Sequence, residues 1–464
     1  MKTEEEKVKS AFRIPEEEIQ NLLQPGHRGG AFAETILEQS RQGKPLDLLE
    51  AAVLLSIEEP ALIDRLYETA REVKERVFGK RIVLFAPLYI SNRCVNNCLY
   101  CGFRRENREA ERKTLPIPGI VEEARALYDG GYRRVLLVAG EGSGSSIDYL
   151  CDAVSAIYRE TPIRIVHVNA APMDEDDFRR LKGAGAGVYQ CFQETYHPET
   201  YARMHPSGPK SDYERRLSVM DRAVAAGFGD VGMGALFGLY DDRFEVLALI
   251  AHARYLEERF GVGPHTVSVP RLQPAAGSAL QSVPCPVSDE AFKKIVAVFR
   301  LAVPYAGVVV STREGAALRD EVIRIGVSQI SAGSRTDIGG YAHAKEETGT
   351  AQFSLSDGRN LDEVIAAILD HGLEPSLCTA CYRSGRTGEA FRAVAESGRV
   401  RDFCEANALF SLMEYFKDHG TEKTRAAVHE QIVARVTQLK DDAFRREVEK
   451  GLDRVARGEE DVHF

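Results

Sequence analysis

The run SNRCVNNCLYCGF places Cys94, Cys98 and Cys101 on one short stretch, in the spacing Cys-x3-Cys-x2-Cys. Three thiolates on one loop can hold three irons of a 4Fe–4S cube, since cysteine sulfur is the usual ligand of such clusters. The fourth iron then has no protein ligand. An open iron can bind and reduce a cofactor, which a cluster closed by four cysteines cannot do. The competing chemistry is zinc, but structural zinc is usually closed by four ligands, and no fourth Cys or His lies near this run. A second group stands toward the other end: Cys378 and Cys381 in SLCTACYRSGR, then Cys404 in RVRDFCEAN. This is Cys-x2-Cys-x22-Cys, again three ligands. A knuckle plus one distant cysteine suits zinc with His371 as fourth ligand; an iron–sulfur cluster with one open iron is the sharper alternative. Cys151, in a predicted helix, and Cys191, in a predicted strand, read as small buried hydrophobes. Cys285 lies in a loop between prolines. None of these three is assigned a role.

Two elements of different texture must position these groups. Residues 1–80 carry apolar residues at three and four spacing, as in IPEEEIQNLL and DLLEAAVLLSI, and predict helices, with Gly79 as a stop. From residue 81, short β-rich runs alternate with amphipathic helices. The expected strands are 81–90, 133–140, 164–170, 188–194, 230–238, 265–273, 307–314 and 328–333. Eight strands alternating with helices predict parallel βα units and an α/β fold, a (β/α)8 TIM-type barrel over 81–340. A doubly wound sheet ranks second. Residues 341–371 read as a connecting segment, and 372–464 as a helical extension bearing the second cysteine group. In such barrels chemistry sits in the loops after the strands, and the first cysteine loop directly follows strand one.

Charged residues fall at several strand ends. Gly140 and Glu141 close strand two in VLLVAGEGS, Glu194 closes strand four in CFQETYH, and Arg313 closes strand seven in VVVSTRE. An arginine there points into the barrel mouth, where an unpaired charge would be costly; a structural ion pair with Glu314 or Glu321 is the alternative. His265 begins strand six, at the bottom of the barrel, where a lone histidine is ordinarily a packing or capping residue.

Composition removes several classes. The net charge is −10, which argues against a broad nucleic-acid footprint. The longest apolar runs, such as RIVLFAPLYI, are too short to cross a bilayer. The N-terminal MKTEEEKVKS does not read as a secretory signal. Nine cysteines, six of them in two groups, suit a reduced cytoplasm and metal binding rather than a disulfide scaffold.

With Tyr100 just before its last cysteine, the first loop resembles the signature of the radical S-adenosylmethionine (SAM) enzymes. Both triads together resemble the tyrosine lyase family that matures FeFe-hydrogenases, over nearly the whole chain. The resemblance implies that Cys94, Cys98 and Cys101 hold the 4Fe–4S cluster that binds and cleaves SAM. It places Tyr100 against the adenine, and Gly140 and Glu141 in a motif accepting from the SAM amine. Glu194 is placed to reach the ribose or SAM. Arg215, in SDYERRL, is assigned to the SAM carboxylate, with its neighbour Arg216 left open. Arg313 would hold the carboxylate of tyrosine. Cys378, Cys381 and Cys404 would hold a second, auxiliary iron–sulfur cluster with an additional iron, bound by His265 and helped by free L-cysteine. The implied reaction breaks the Cα–Cβ bond of tyrosine to 4-cresol and dehydroglycine, then forms carbon monoxide and cyanide at the second cluster. Implied partners are other hydrogenase maturation proteins and a small electron donor such as ferredoxin. The rivals are a thiamine-pathway tyrosine lyase that stops at dehydroglycine, against which the second triad speaks, and an iron–sulfur carrier.

Overall fold

The structure is a computed structural model that describes residues 11–24, 30–342, 350–391, 399–439 and 441–464. Eight parallel strands close into a barrel: β1 (Arg81–Ser91), β2 (Arg134–Ala139), β3 (Ile165–Asn169), β4 (Tyr189–Gln190), β5 (Val231–Gly234), β6 (Thr266–Ser268), β7 (Gly307–Val310) and β8 (Gln329–Ser331). Neighbours pair in chain order, and β1 closes the ring by pairing with both β2 and β8. All eight expected strands are present. Most are shorter than the β-rich runs, because the ladder gives way early to single bridges, such as Glu194 to Ala235 and Phe237 to Arg271.

The pleat sorts side chains into two sets. Phe85, Pro87 and Tyr89 of β1 and Leu136 and Val138 of β2 face the bore. Their sequence neighbours Leu84, Val135 and Leu137 are fully buried, on the side of the surrounding helices. Strands covered on both faces read as nearly continuous apolar runs, which is why β1 and β2 were visible in the sequence.

The N-terminal helices Leu48–Ser56 and Pro60–Phe78 pack on the barrel helix Asp289–Ala302. The first starts with a capping box, in which Asp47 Oδ1 accepts from Glu50 N at 2.8 Å and Glu50 Oε2 from Asp47 N at 2.8 Å. The second has proline at its first position and stops at Gly79.

The chain beyond residue 372 begins with an unexpected strand, β9 (Glu374–Ser376), which pairs in parallel with Arg81–Val83 at the start of β1. It carries the second cysteine group across the bottom of the barrel. Helix Arg399–Asp418 packs against β9 and bears Cys404. Buried ion pairs fasten this helix: Glu414 Oε1 lies 2.9 Å from Arg133 Nε and 2.5 Å from Arg164 Nη2. The stretch EAFRAVAESG, expected to be helical, lies mostly outside the described residues. Among the described residues no helix is long and apolar enough to cross a membrane.

Candidate active site

The loop after β1 is held from several sides. Leu99 N donates to Met204 O at 3.0 Å, Asn97 N to Ser207 O at 3.1 Å, and Ala279 N to Leu99 O at 2.8 Å. Arg112 spans the loop's carbonyls, reaching those of Asn92 and Phe103 at 2.9 Å. Two close approaches leave little room for a Cβ. One at Gly140 would stand 3.1 Å from Cys94 Cβ, and one at Gly102 only 2.7 Å from Gln352 O. Glycine thus lets the end of β2 and the segment around Gln352 close on the cysteine loop from opposite sides.

Cys94, Cys98 and Cys101 line one chamber of about 210 Å³ at the mouth of the barrel. N–H groups face the sulfurs: Phe103 N lies 3.4 Å from Cys101 Sγ, Gln352 Nε2 3.8 Å from the same atom, and Asn96 Nδ2 3.7 Å from Cys94 Sγ. Donors directed at sulfur suit thiolate ligands, so this donor set fits an iron–sulfur cluster with three protein ligands. Burial pushes the Cys101 thiol up to about 12, and neighbouring thiols add to that, so iron must displace this proton.

Tyr100, Gly140, Glu141, Glu194 and Arg313 line the same chamber. Tyr100 Oη lies 2.9 Å from His205 Nε2, whose ring Nδ1 faces Tyr201 O at 2.8 Å. Burial, with Lys210 nearby, lowers His205 to about 3, so the ring is neutral and Nε2 accepts from the phenol. Glu141 Oε2 accepts from Asn96 Nδ2 at 2.7 Å. Glu194 has a φ of 71°, rare for a residue with a side chain. Burial alone would raise its carboxyl. Lys210 Nζ at 2.6 Å and Arg216 Nη2 at 3.4 Å outweigh burial and bring it down to about 2.

Arg215 does not line the chamber. It lies on the surface, 3.1 Å from Asp174, while Arg216 turns inward, lines the chamber and donates Nε to Phe192 O at 2.7 Å. Consecutive helix positions diverge by about 100°, so only one of the two can face the bore. Lys210, Gln352 and Phe353 complete the chamber and were not singled out from sequence. Arg313 lies with Cζ 3.4 Å above the Phe353 ring. Its guanidinium makes no hydrogen bond or ion pair among the described residues, and burial lowers its pKa.

Below, the bore narrows. Phe85, Leu136, Gln190 and Val309 line both the chamber and a small interior cavity, which His167 also lines. Arg134, His265, Gln329 and Tyr382 line both that cavity and a third, about 40 Å³, at the bottom. Cys378 and Cys381 line this third cavity, so His265 and the second triad's first knuckle face one space. Cys381 hydrogen-bonds the Cys404 sulfur, which favours the thiolate at Cys404 and keeps the Cys381 thiol protonated. Ala380 N donates to Cys378 Sγ at 3.3 Å. Thiols paired and donor-facing in this way fit a second cluster. His265 Nδ1 lies 3.5 Å from Asp230 Oδ1, and Nε2 3.2 Å from Tyr382 Oη. His371, the alternative zinc ligand, instead ends helix Leu361–Asp370, 4.0 Å from Asp320.

A barrel whose β1 loop presents three cysteines to a chamber at the strands' C-terminal ends defines a radical SAM enzyme. Residues 88–251 match the Radical SAM superfamily, and residues 268–374 the Biotin and Thiamin Synthesis associated domain. The 2-iminoacetate synthase of Escherichia coli K12 is 34% identical over 342 residues, covering 73% of this chain and 89% of that protein. The crystal structure of HydG, a maturase of the [FeFe]-hydrogenase, superimposes with a TM-score of 0.93 at 44% identity, covering 97% of this chain and 99% of that one. HydG from Carboxydothermus hydrogenoformans, also an FeFe-hydrogenase maturase, gives 0.84 at 40% identity, with 97% and 99% covered. The chain belongs to the HydG family.

Proposed function

We propose that this chain is a radical SAM lyase that cleaves the Cα–Cβ bond of L-tyrosine to 4-cresol and dehydroglycine. It then turns the dehydroglycine fragment into carbon monoxide and cyanide for the FeFe-hydrogenase cofactor. The observation that carries this reading is the two-ended bore. One end holds three cysteines and an arginine whose guanidinium makes no hydrogen bond or ion pair among the described residues; the other holds a second triad and a histidine.

Cys94, Cys98 and Cys101 would hold the 4Fe–4S cluster, which together with SAM supplies a 5′-deoxyadenosyl radical when bound. Glu141 accepts from the SAM amine through charge-assisted hydrogen bonds. Arg216, set by Glu194 and the Phe192 carbonyl, takes the part expected of Arg215 and faces the SAM carboxylate. Tyr100, fixed by His205, offers its ring to the adenine. Arg313, with a buried fork of idle donors, pairs with the tyrosine carboxylate. That pairing would turn the substrate's amino group toward the SAM site, where the hydrogen atom to be abstracted must lie. The Cα–Cβ bond then breaks, and the buried chamber keeps water from the fragments. Dehydroglycine is small enough to travel down the bore, past Gln190 and Arg134.

At the bottom, Cys378, Cys381 and Cys404 would hold the auxiliary cluster. His265, its ring oriented by Asp230, would offer a nitrogen to an additional iron, and free L-cysteine would complete that iron's ligands. Carbon monoxide and cyanide arise there, and their iron-bound form would pass to other maturation proteins. A small ferredoxin-like protein would supply electrons.

The test is an anaerobic incubation of reconstituted protein with SAM, tyrosine and dithionite. The expected products are 5′-deoxyadenosine, 4-cresol, cyanide and carbon monoxide. Production of 4-cresol without carbon monoxide, with the second cluster shown to be occupied, would reduce the chain to a dehydroglycine-forming lyase. Production of neither 4-cresol nor deoxyadenosine would leave an iron–sulfur carrier.

A further inference from the structure

Two of the donors that face the first triad, Asn96 Nδ2 and Phe103 N, belong to the cysteine loop itself. The third, Gln352 Nε2, comes from 251 positions further along the chain. Its backbone is tied down on both sides. Gly102 N donates to Gln352 O at 3.1 Å, and Gln352 N donates to Thr336 O at 3.3 Å. Its side chain is held by Tyr89, a buried residue of β1, whose Oη lies 2.8 Å from Gln352 Oε1. The Tyr89 ring meets the Phe103 ring edge-on, with centroids 6.0 Å apart. A chain of contacts therefore runs from the phenol of β1, through one amide, to the Cys101 sulfur.

The chemistry at the sulfur sets the direction of that chain. An amide offers a donor on one side and an acceptor on the other, and its neighbours decide which side faces which. A thiolate that ligates iron can only accept. Nε2 must then face Cys101, Oε1 is left facing Tyr89, and the phenol must donate. A flipped amide would set Oε1 against the sulfur, acceptor against acceptor. Cys101 Sγ thus receives two donors, Phe103 N at 3.4 Å and Gln352 Nε2 at 3.8 Å.

Donors to cluster sulfur favour the more negative, reduced state and raise the reduction potential. The Phe103 donor is backbone. The Gln352 donor is a side chain, and its orientation depends on a hydroxyl that does not itself touch the sulfur. Tyr89 also lines the chamber, so a plain contact with substrate is the alternative role for it.

We propose that Gln352 tunes the reduction potential of the cluster at the first triad by donating to Cys101, and that Tyr89 is a positioning residue that locks the amide in the donating orientation. The inference rests on the reading above only in placing a cluster at that triad.

The test is a redox titration of reconstituted holoenzyme, followed by electron paramagnetic resonance, on wild type, Gln352→Leu, Tyr89→Phe and the double variant. The reduced signal that changes on addition of SAM identifies the first cluster. Iron and sulfide per chain are measured on every protein. At a fixed potential, Gln352→Leu is expected to lower the ratio of reduced to oxidised first cluster about tenfold, which for one electron is about 59 mV. Tyr89→Phe is expected to move it in the same direction by a smaller factor. The double variant is expected to match Gln352→Leu, because Tyr89 acts through the amide. An unchanged potential in Gln352→Leu overturns the proposal. So does a Tyr89→Phe shift that persists in full on the Gln352→Leu background, or a raised KM for tyrosine in Tyr89→Phe with no shift at all. Should Gln352→Leu lose its first cluster, Tyr89→Phe decides alone: a lowered potential supports the proposal and an unchanged one overturns it. Failure of the lyase reading shows separately, as absence of 4-cresol from wild-type protein given SAM, tyrosine and dithionite.

Discussion

At the scale of single residues, the chamber separates charges that are settled from one that waits. Glu194 is held as a carboxylate by Lys210 and Arg216. Arg313 has only the Phe353 ring beneath it. A buried cation in that state is placed for an anionic substrate group, and the carboxylate of tyrosine supplies one. Replacing Arg313 with Met should raise KM for tyrosine and lower kcat/KM roughly 10- to 100-fold, the range for losing a charge-assisted pair. SAM affinity and cluster content should be unchanged. Initial rates of 4-cresol release measure this, and an unaltered KM would contradict the assignment. Much at this scale was legible in the sequence, because cysteine spacing and residues closing β-rich runs are local signals. The choice of Arg216 over Arg215 was not legible, since it depends on which way a five-residue helix turns. Lys210, Phe353, Arg81 and Arg134 carry no local mark at all; only closure of the barrel brings them to their cavities.

At the scale of elements, the loop after β4 is tied to helix Asp242–Phe260 by one buried carboxyl. Glu245 is fully buried and accepts from Thr195 Oγ1 and from Tyr196 N at 2.8 Å. Burial raises its pKa from 4.5 to about 8, against the pull of those two donors. The native protein therefore keeps this proton over a range where the unfolded chain has lost it. The contribution is fully present below about 4.5 and is lost as the pH rises through about 8. Glu245→Gln should flatten that part of the stability profile, and its apparent melting temperature should exceed the parent's by about 2–4 °C near pH 8.5. Scanning calorimetry of both proteins at pH about 6 and about 8.5 checks it; equal shifts with pH would contradict it. The element that sequence patterning missed is β9. It lies inside the stretch expected to be a helical extension, and Pro375 at its centre cannot donate to a ladder. The strand exists because it pairs with β1 alone, at the edge, where a missing N–H costs nothing.

At the scale of the whole molecule, the barrel separates two chemistries and connects them. The chamber lies at the C-terminal ends of the strands, and the second triad closes the opposite end. β9 brings Cys378 and Cys381 there, and helix Arg399–Asp418 brings Cys404. Glu414 holds that helix to the barrel through Arg133 and Arg164, so the second site is anchored to the strands that shape the first. Cavities that share lining residues run between the ends, with Gln190, His167 and Arg134 as polar stations. Two triads on one chain were plain in the sequence. That they face opposite ends of one bore was not, because this follows from strand direction and from where β9 docks.

The central claim is that one end breaks tyrosine and the other uses the fragment. The most direct measurement quantifies 4-cresol and carbon monoxide side by side, in wild-type protein and in Cys378→Ala/Cys381→Ala, with SAM, tyrosine and dithionite under anaerobic conditions. The account predicts that the variant still releases 4-cresol and deoxyadenosine while carbon monoxide falls to background. Carbon monoxide at wild-type levels from the variant, or loss of 4-cresol together with carbon monoxide in a folded protein that keeps its first cluster, would contradict it.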